Sequence, residues 1–458
     1  MGYFEKELVK SDQTLKKSFR SIDVLALAFG SIIGWGWIML CGQWAQQGGM
    51  VGAMLAFGVG ALLCIFVGLT YAELTPAIPE VGGSVAFSRK AMGPFAALIA
   101  GLATTFAYLG VSSWEGPALT SAVSYLLPLP VFGYLWTIQG AEVYLSQVLI
   151  AVVAAGILTV VNIRGAKGTA VFQSVATGGI LLVGLLFLGG GLTMGSLKYA
   201  KPLFTSFSGF TSVLLVVPAM FVGFDVVPQA ASEMDVPLKK IPRLLILSIV
   251  AASLWYVLMI LATCFSAPGE VRLNGDIPVA DAMAYVFGSN IWGKICIVGA
   301  LFGIITSWNG FLFGAARCIY SMACAGLLPR FLARLHPKYG TPYTSILFCG
   351  LVCMLTAFLG EGALTWFVNA SSFGVTIMYL MVVLSFIVLR VKQPTLLRPY
   401  AVKHARVIGF LACLVVVFFV YLYLPTGPSS LSGIEWRMVL AWFSAGICLY
   451  FFCKRRKK

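Results

Sequence analysis

The stretch VPAMFVGFDVVPQAASE, residues 217–233, lies in an apolar segment long enough to cross a bilayer, yet it contains several residues that interrupt helices. Pro218 and Pro228 each remove a backbone donor and crowd the preceding turn, and Gly223 between them lowers the cost of unwinding. Asp225 places a carboxyl group near the membrane midplane, where an ionisable side chain costs roughly 2.5–3.5 kcal/mol and usually faces a cavity or a partner. We therefore expect a discontinuous membrane helix with a polar site at its break.

The whole chain has the composition of a multi-pass membrane protein. Its 458 residues are 60% hydrophobic and 10% charged, with a mean hydropathy of +0.94. Apolar runs of about 20 residues recur from end to end. We predict an all-α membrane protein with about 12 transmembrane helices. The predicted spans are 22–47, 50–74, 94–127, 142–163, 169–194, 209–234, 243–267, 291–325, 342–360, 363–390, 406–424 and 434–453.

The distribution of positive charge predicts the orientation of the chain. The net charge is +15, and if the N terminus lies inside the cell, all but five of the 31 Lys and Arg residues fall in cytoplasmic segments. This asymmetry follows the positive-inside rule, so we expect two cytoplasmic tails, residues 1–21 and 454–458, and no cleaved signal peptide. Membrane topology thus accounts for the charge, and we expect no nucleic-acid partner. The five exceptions are Lys198, Lys201, Arg272, Lys294 and Arg437.

The first span contains a second interruption. Residues 30–37 read GSIIGWGW, with Gly30, Gly34 and Gly36 at the centre of the apolar run. Glycines four residues apart are also typical of a helix packing face, so the motif alone fits either a packing face or an unwound segment. The break in the sixth span begins at a corresponding position and favours unwinding.

The two breaks divide the chain into matching halves. Spans one to five (22–194) and spans six to ten (209–390) each hold an odd number of helices, so the second half must be inverted relative to the first. Corresponding interruptions in inverted halves are typical of a secondary transporter, whose substrate site lies between them. We predict a five-plus-five inverted repeat with discontinuous helices one and six, followed by accessory helices eleven and twelve at 406–453.

Backbone groups exposed at the breaks would suit a zwitterion. The second half of span one starts at residues 34–36, where free N–H groups and a helix N-terminus favour a carboxylate. The first half-helices end near Ile32 and near Phe221 and Val222, where free carbonyls favour an ammonium group or a cation. An amino acid carries both groups.

Two acidic residues lie deep in the apolar spans. Asp225 and Glu115 are candidates for carrying a coupled proton, and Asp225 also for contacting the substrate. A protonated Glu115 that hydrogen-bonds to another helix explains its position equally well. The acids nearer the span ends fit helix capping or loop pairing; they are Asp23, Glu73 and Glu233.

The eighth span offers hydroxyl groups for a sodium ion. Thr306 and Ser307, together with the first span at Gly30 and Ile33, form a possible Na⁺ site. The two hydroxyls fit hydrogen bonds to their own helix at least as well. Aromatic side chains near the breaks offer occluding or cation–π surfaces, and each also fits simple packing; they are Trp35, Phe106, Phe221, Phe224 and Phe311.

Several motifs, in the right order, resemble the amino acid–polyamine–organocation superfamily, which shares the leucine-transporter fold. The resemblance covers nearly the whole chain. The motifs are GSIIGWGWI at 30–38, YAEL at 71–74, PEVGG at 79–83, FVGFD at 221–225, KKIP at 239–242, GLLP at 326–329 and HPKYGTP at 336–342.

The resemblance implies alternating access and a set of substrate contacts. It implies that the substrate carboxylate meets Gly34, Trp35 and Gly36. It also implies that the substrate amine meets carbonyls that match Ile32, Ala219 and Val222. Phe221 and Phe311 fall on or beside positions where relatives place gating aromatics.

Two departures from the family pattern leave the coupling ion open. Trp35 is large, whereas most relatives have a small residue between the two glycines, so a decarboxylated amine also remains a possible substrate. Some proton-coupled relatives use a lysine in the fifth span, and none occurs from Thr169 to Met194.

We predict a secondary active transporter of amino acids or small organic amines that works by proton symport or substrate exchange. Na⁺ symport and transport of a polyamine or decarboxylated amine are the alternatives. The expected partners are the substrate, membrane lipid and H⁺ or Na⁺, with no cofactor, no metal and no catalytic residues.

An enzyme is disfavoured because the two histidines, His336 and His404, fall in predicted cytoplasmic loops. A channel is disfavoured by inverted halves in one chain, and an ATP-driven pump by the absence of a GxxxxGK[ST] loop.

Overall fold

The computed structural model describes residue 15, residues 17–275 and residues 277–455, so most of the two predicted tails lies outside the described residues. The helices are α1 (Ser21–Ile32), α2 (Gly36–Ala77), α3 (Gly83–Met92), α4 (Pro94–Leu126), α5 (Leu145–Arg164), α6 (Ala166–Met194), α7 (Phe207–Met220), α8 (Val226–Gln229), α9 (Ile241–Ser266), α10 (Gly269–Asn274), α11 (Pro278–Phe287), α12 (Asn290–Cys324), α13 (Tyr343–Thr356), α14 (Leu364–Lys392), α15 (Ala405–Tyr423) and α16 (Gly433–Arg455). The strands are β1 (Tyr134–Ile138) and β2 (Ala141–Tyr144).

Apolar helices dominate the architecture. Within the described ranges, 9 helices are long and apolar enough to cross a membrane. The chain is therefore an all-α multi-pass membrane protein, which confirms the predicted fold class. The predicted spans one, six and nine correspond to shorter helices, α1, α7 and α13. Spans one and six give short helices because each is interrupted. The division into two inverted five-helix repeats stays a prediction.

Gly49 separates the first two predicted spans inside the 42-residue α2. Its φ of +74° is rarely adopted by residues with a Cβ, and a Cβ here would lie 2.7 Å from the Leu203 carbonyl oxygen. The chain therefore turns at Gly49, between the predicted spans 22–47 and 50–74. Helices α2 and α9 pack extensively against each other, as do α2 and α7.

A β-hairpin between α4 and α5 was not predicted from the sequence. Strands β1 and β2 pair antiparallel and pack on the turn at residues 357–363, between α13 and α14. The Trp136 indole N–H donates to the Phe358 carbonyl oxygen at 2.9 Å. The hairpin is short, and its partner lies more than 200 residues away, so no local pattern indicated it.

Helix α12 joins the helices that surround the two breaks. Helix α1 contacts α6, α9 and α12, whereas α4 packs against α12 and α14. This arrangement brings the end of α1 and the end of α7 to the middle of the bundle. Helix α11 lies between α9 and α12 in the chain and packs against α12 and α2.

Candidate functional site

The first break lies between α1 and α2, at residues 33–35. A Cβ at Gly34 would lie 3.0 Å from Ser307 Oγ and 3.1 Å from Glu115 Oε1. On α12, a Cβ at Gly303 would lie 3.0 Å from the Gly34 carbonyl oxygen. The absence of side chains at these two glycines therefore lets the unwound backbone sit against α4 and α12.

The second break lies between α7 and α8, at residues 221–225. Gly223 has a φ of +135°, and a Cβ there would lie 2.6 Å from the Ile32 backbone nitrogen. The two interruptions predicted from the sequence are thus present, and they contact each other. Because this contact is between backbones, only glycine fits at position 223 without moving a main chain.

Asp225 is a hydrogen-bond acceptor that organises the second break. Its Oδ1 accepts a hydrogen bond from the Gly223 N–H at 2.9 Å and one from the Tyr379 hydroxyl at 3.3 Å. Its Oδ2 accepts a short hydrogen bond from the Tyr108 hydroxyl. Tyr108 belongs to α4 and Tyr379 to α14, so one fully buried carboxyl group ties three segments together.

Tyr256 of α9 joins the ends of the two broken helices. Its hydroxyl lies 3.1 Å from the Ile32 carbonyl oxygen and 3.2 Å from that of Met220, the last residues of α1 and α7. One hydroxyl proton is shared between two helix C-termini that lack intrahelical donors. Tyr256 was not predicted from the sequence, because the residues next to a lone tyrosine in an apolar span do not indicate its partner.

A cavity of about 520 Å³ lies between the two breaks. This volume includes space open to the outside, so the enclosed part of the cavity is smaller. The predicted site residues in its wall are Ile32, Gly34, Gly36, Ala219, Val222, Ser307 and Phe311. The remaining wall residues are Ser31, Val111, Trp114, Met220, Tyr256, Val368, Ser371, Ser372 and Val375.

Three predicted substrate-contacting side chains lie outside this wall. Trp35 and Phe221 are buried in the hydrophobic core, and Asp225 is enclosed by its hydrogen-bond donors. Helix α14, by contrast, contributes four wall residues that no sequence pattern indicated. Because Trp35 packs away from the cavity, its bulk does not narrow the space between the breaks.

Glu115 lies behind the first break. It is fully buried, and its Oε1 accepts a short hydrogen bond from the Ser307 hydroxyl, whose residue lines the cavity. Glu115 is therefore in contact with both α12 and the unwound backbone at Gly34. A change in its protonation state would act on both elements.

Two residues of the possible sodium site, Thr306 and Gly30, have hydrogen-bonding groups of α6 and α12 beside them. The Thr306 hydroxyl donates to its own helix, to the Phe302 and Gly303 carbonyl oxygens at 2.9 and 3.0 Å. The Gln173 amide nitrogen lies 3.0 Å from the Thr306 carbonyl oxygen, and a Cβ at Gly30 would lie 2.8 Å from the same nitrogen. The Ala26 carbonyl oxygen of α1 likewise faces N–H and O–H groups from α6.

A chain of amides fixes the orientation of Gln173. Asn162 donates to the Asn309 side-chain oxygen at 2.8 Å, and Asn309 donates to the Gln173 side-chain oxygen at 2.8 Å. In this series of amides, each side-chain oxygen accepts a hydrogen bond, so the nitrogen of the same amide points onward as a donor. The Gln173 nitrogen therefore faces the α1–α12 interface.

A buried ion pair closes one side of the second break. Glu233 accepts hydrogen bonds from the Arg317 guanidinium at 2.8 and 3.1 Å, and both side chains are inaccessible. The guanidinium also lies 3.4 Å from the centre of the Phe313 ring. The backbone of Ser18 and Phe19 donates to the Glu233 carbonyl oxygen, so the segment before α1 covers the pair. Glu233 thus has a charged partner, which the sequence analysis did not identify.

Comparison with known proteins gives consistent matches over the whole chain. The family model described as amino acid permease matches residues 19–450. A branched-chain amino acid permease of Bacillus subtilis is 28% identical over 97% of this chain and 94% of its own length. A methylthioribose transporter of the same organism is 26% identical over 97% of this chain and 95% of its own. A serine/threonine exchanger, also from Bacillus subtilis, is 28% identical over 97% of this chain and 99% of its own.

Proposed function

The chain belongs to the amino acid permease family, and on that premise we propose that it is a secondary active transporter that moves amino acids across the membrane by alternating access. The observation that carries the proposal is the cavity between the two breaks, whose wall holds the ends of three helices. Transporters of this family are not enzymes, and nothing in the proposal requires a chemical step.

The wall supplies complementary groups for both ends of an amino acid. Helix α2 begins at Gly36, so its first N–H groups and positive dipole end suit the substrate carboxylate. Helices α1 and α7 end at Ile32 and Met220, whose carbonyl oxygens suit the substrate ammonium group. Tyr256 donates to both oxygens; the Met220 oxygen keeps a second lone pair for the ammonium, whereas the Ile32 oxygen also accepts from the Gly34 N–H at 3.2 Å, which the ammonium would have to replace.

Alternating access would proceed by movement of the broken helices against α4 and α12. The Glu233–Arg317 pair and the segment before α1 close the side of the bundle that the charge distribution places in the cytoplasm. Opening toward that side requires the pair to separate and the segment to lift. Separating a buried ion pair without hydrating its charges has a considerable free-energy cost, so the closed state is well defined.

The contacts at the α1–α12 interface favour coupling to protons, or exchange, over coupling to sodium. A sodium ion needs oxygen ligands. The Gln173 nitrogen lies at the interface that would supply them and already donates to one carbonyl oxygen there. Glu115 supplies a proton acceptor next to the first break. An acid that crosses between protonated and charged forms there would link proton binding to the geometry of the break.

Transport in proteoliposomes tests the function and the coupling together. We expect uptake of labelled amino acid to persist when Na⁺ is replaced by choline and to rise when the outside is made acidic. Glu115→Gln should remove the response to the pH gradient and retain exchange of labelled for unlabelled substrate, because exchange needs no net proton movement. Empty liposomes are the control.

Two results would contradict this proposal. Loss of uptake in choline would establish sodium coupling despite Gln173. Competition by methylthioribose, without competition by any amino acid, would assign the site to a different class of substrate, since one relative is a methylthioribose transporter.

A further inference from the structure

The part of the cavity beyond the helix ends is mainly aliphatic. It is formed by Val111 of α4, Val222 of the second break and Val368 and Val375 of α14, with Phe311 of α12 at one edge. These side chains come from four separate segments. They form the region that would surround a substrate side chain once its carboxylate and ammonium groups are bound at the helix ends.

The serine hydroxyls in the wall already donate hydrogen bonds within the protein. Ser31, Ser371 and Ser372 each donate to a carbonyl oxygen of their own helix, at 2.6, 3.0 and 2.7 Å. Ser307 donates to Glu115. The indole nitrogen of Trp114 is inaccessible. The side chains of the wall therefore offer a substrate acceptor oxygens and apolar surface, with no free hydroxyl donor.

The wall also lacks side chains that could neutralise a charge. No Asp, Glu, Lys, Arg or His belongs to it within the part of the chain that the structure describes. Asp225 is held by Tyr108, Tyr379 and the backbone, and Glu115 lies behind Ser307. A charged substrate side chain would enter this region without a counterion.

From this lining we infer that the transporter selects amino acids with neutral, aliphatic side chains of the size of valine, leucine or methionine. The inference rests on the proposed function and narrows its substrate class. A carboxylate side chain would lose hydration and find no donor, and an ammonium side chain would lose hydration and find no carboxylate. An aliphatic side chain instead gains burial against the valines.

Kinetics with three amino acids test the inference on the intact protein in proteoliposomes. We expect kcat/KM for lysine and for glutamate to be at least about 100-fold lower than for leucine, because sites that leave polar groups unpaired discriminate strongly. Comparable values for lysine or glutamate would overturn the inference and leave the proposed function intact. Failure of leucine to be transported or to compete would also overturn the inference, whereas failure of every amino acid to compete would overturn the proposed function itself.

A pair of variants on α14 tests whether the valine wall sets the size limit. Val375 and Val382 are both buried and lie two turns apart, and only Val375 lines the cavity. Val375→Ala should raise the preference for methionine over valine about tenfold, since one or two methylene groups of pocket space discriminate by that order. Val382→Ala should leave the ratio unchanged within about twofold.

An unchanged ratio in Val375→Ala, or an equal change in both variants, would overturn the role of this wall. Should Val375→Ala fail to fold, Ser372→Ala provides the same test with a smaller change. It removes one acceptor oxygen from the wall, so the preference for leucine over serine should rise about threefold. A fall in that preference would contradict the inference.

Discussion

The two breaks differ in what holds their backbone in place. The first break, at residues 33–35, is supported from outside, by Ser307 and Glu115 against Gly34 and by α12 against the free carbonyls. The second break, at residues 221–225, is supported by its own acid, because Asp225 binds the Gly223 N–H two residues earlier in the chain. Tyr256 is the side chain that contacts both.

We expect this difference to make the first break the more mobile of the two. A break whose support comes from neighbouring helices changes shape when those helices move, or when Glu115 changes its protonation state. The second break is also held by tyrosine hydroxyls from α4 and α14, but its Asp225–Gly223 hydrogen bond is internal and does not depend on where those helices lie. We therefore expect the first break to change shape with the coupled ion, and the second break to keep the geometry of the substrate site.

The largest effect should come from filling the contact between the breaks. Gly223→Ala adds a Cβ at a φ of +135°, 2.6 Å from the Ile32 nitrogen. The backbone strain alone costs about 1–3 kcal/mol, and the overlap forces the two breaks apart. We expect uptake to fall to background and the thermal midpoint of the detergent-purified protein to fall.

Two matched variants calibrate this result. In Gly34→Ala the new Cβ meets side-chain atoms at 3.0–3.1 Å, which can shift, so uptake should fall only about tenfold. Gly58→Ala, in α2, has nothing within 4 Å of its new Cβ and should leave uptake unchanged. Equal losses in Gly223→Ala and Gly34→Ala would show that the two breaks are held alike.

A smaller effect should come from replacing the acids, and it should differ between them. In Asp225→Asn the amide oxygen, at the Oδ1 position, still accepts from Gly223 and Tyr379, whereas the amide N–H group at the Oδ2 position meets the Tyr108 hydroxyl, which previously donated. The mismatch costs about 1–3 kcal/mol, so stability and uptake should both fall.

Glu115→Gln provides the contrast for Asp225→Asn. Glutamine still accepts from Ser307, so the thermal midpoint should stay within a few degrees of the wild type while the pH response of uptake is lost. The same measurements on both variants decide the comparison. A stable Asp225→Asn protein with full uptake would remove Asp225 from the support of the break.

The smallest effect should come from Tyr256→Phe, which keeps the ring and removes the shared hydroxyl. Two buried carbonyl oxygens lose a donor, at a cost of about 1 kcal/mol, so substrate affinity should weaken by roughly tenfold or less. Tyr421→Phe is the control, because Tyr421 is exposed and its hydroxyl donates to the carbonyl oxygen of Thr426, just after the end of α15. Tighter binding in Tyr256→Phe would show that the hydroxyl competes with the substrate ammonium.

Local chemistry explains why the breaks were predictable and the cavity wall was not. Pro218, Gly223 and the glycines of GSIIGWGW act on their own backbone, so their effect is written in adjacent residues. Ser371, Val375 and Tyr256 act on segments more than 30 residues away, and nothing beside them in the sequence indicates those partners. Glu233 and Arg317 are 84 residues apart and were left unpaired for the same reason.

The sequence by itself determined the fold class, the family resemblance and the positions of both interruptions, because hydropathy, proline and glycine act over a few residues. Only the tertiary structure decided which groups line the cavity and which stand behind it. Asp225 is the clearest case: its place in an apolar span predicted a polar site, and its three hydrogen-bond donors, two of them from other helices, turned it toward the support of the break. A side chain's neighbours depend on how helices pack, and packing is a property of the whole chain.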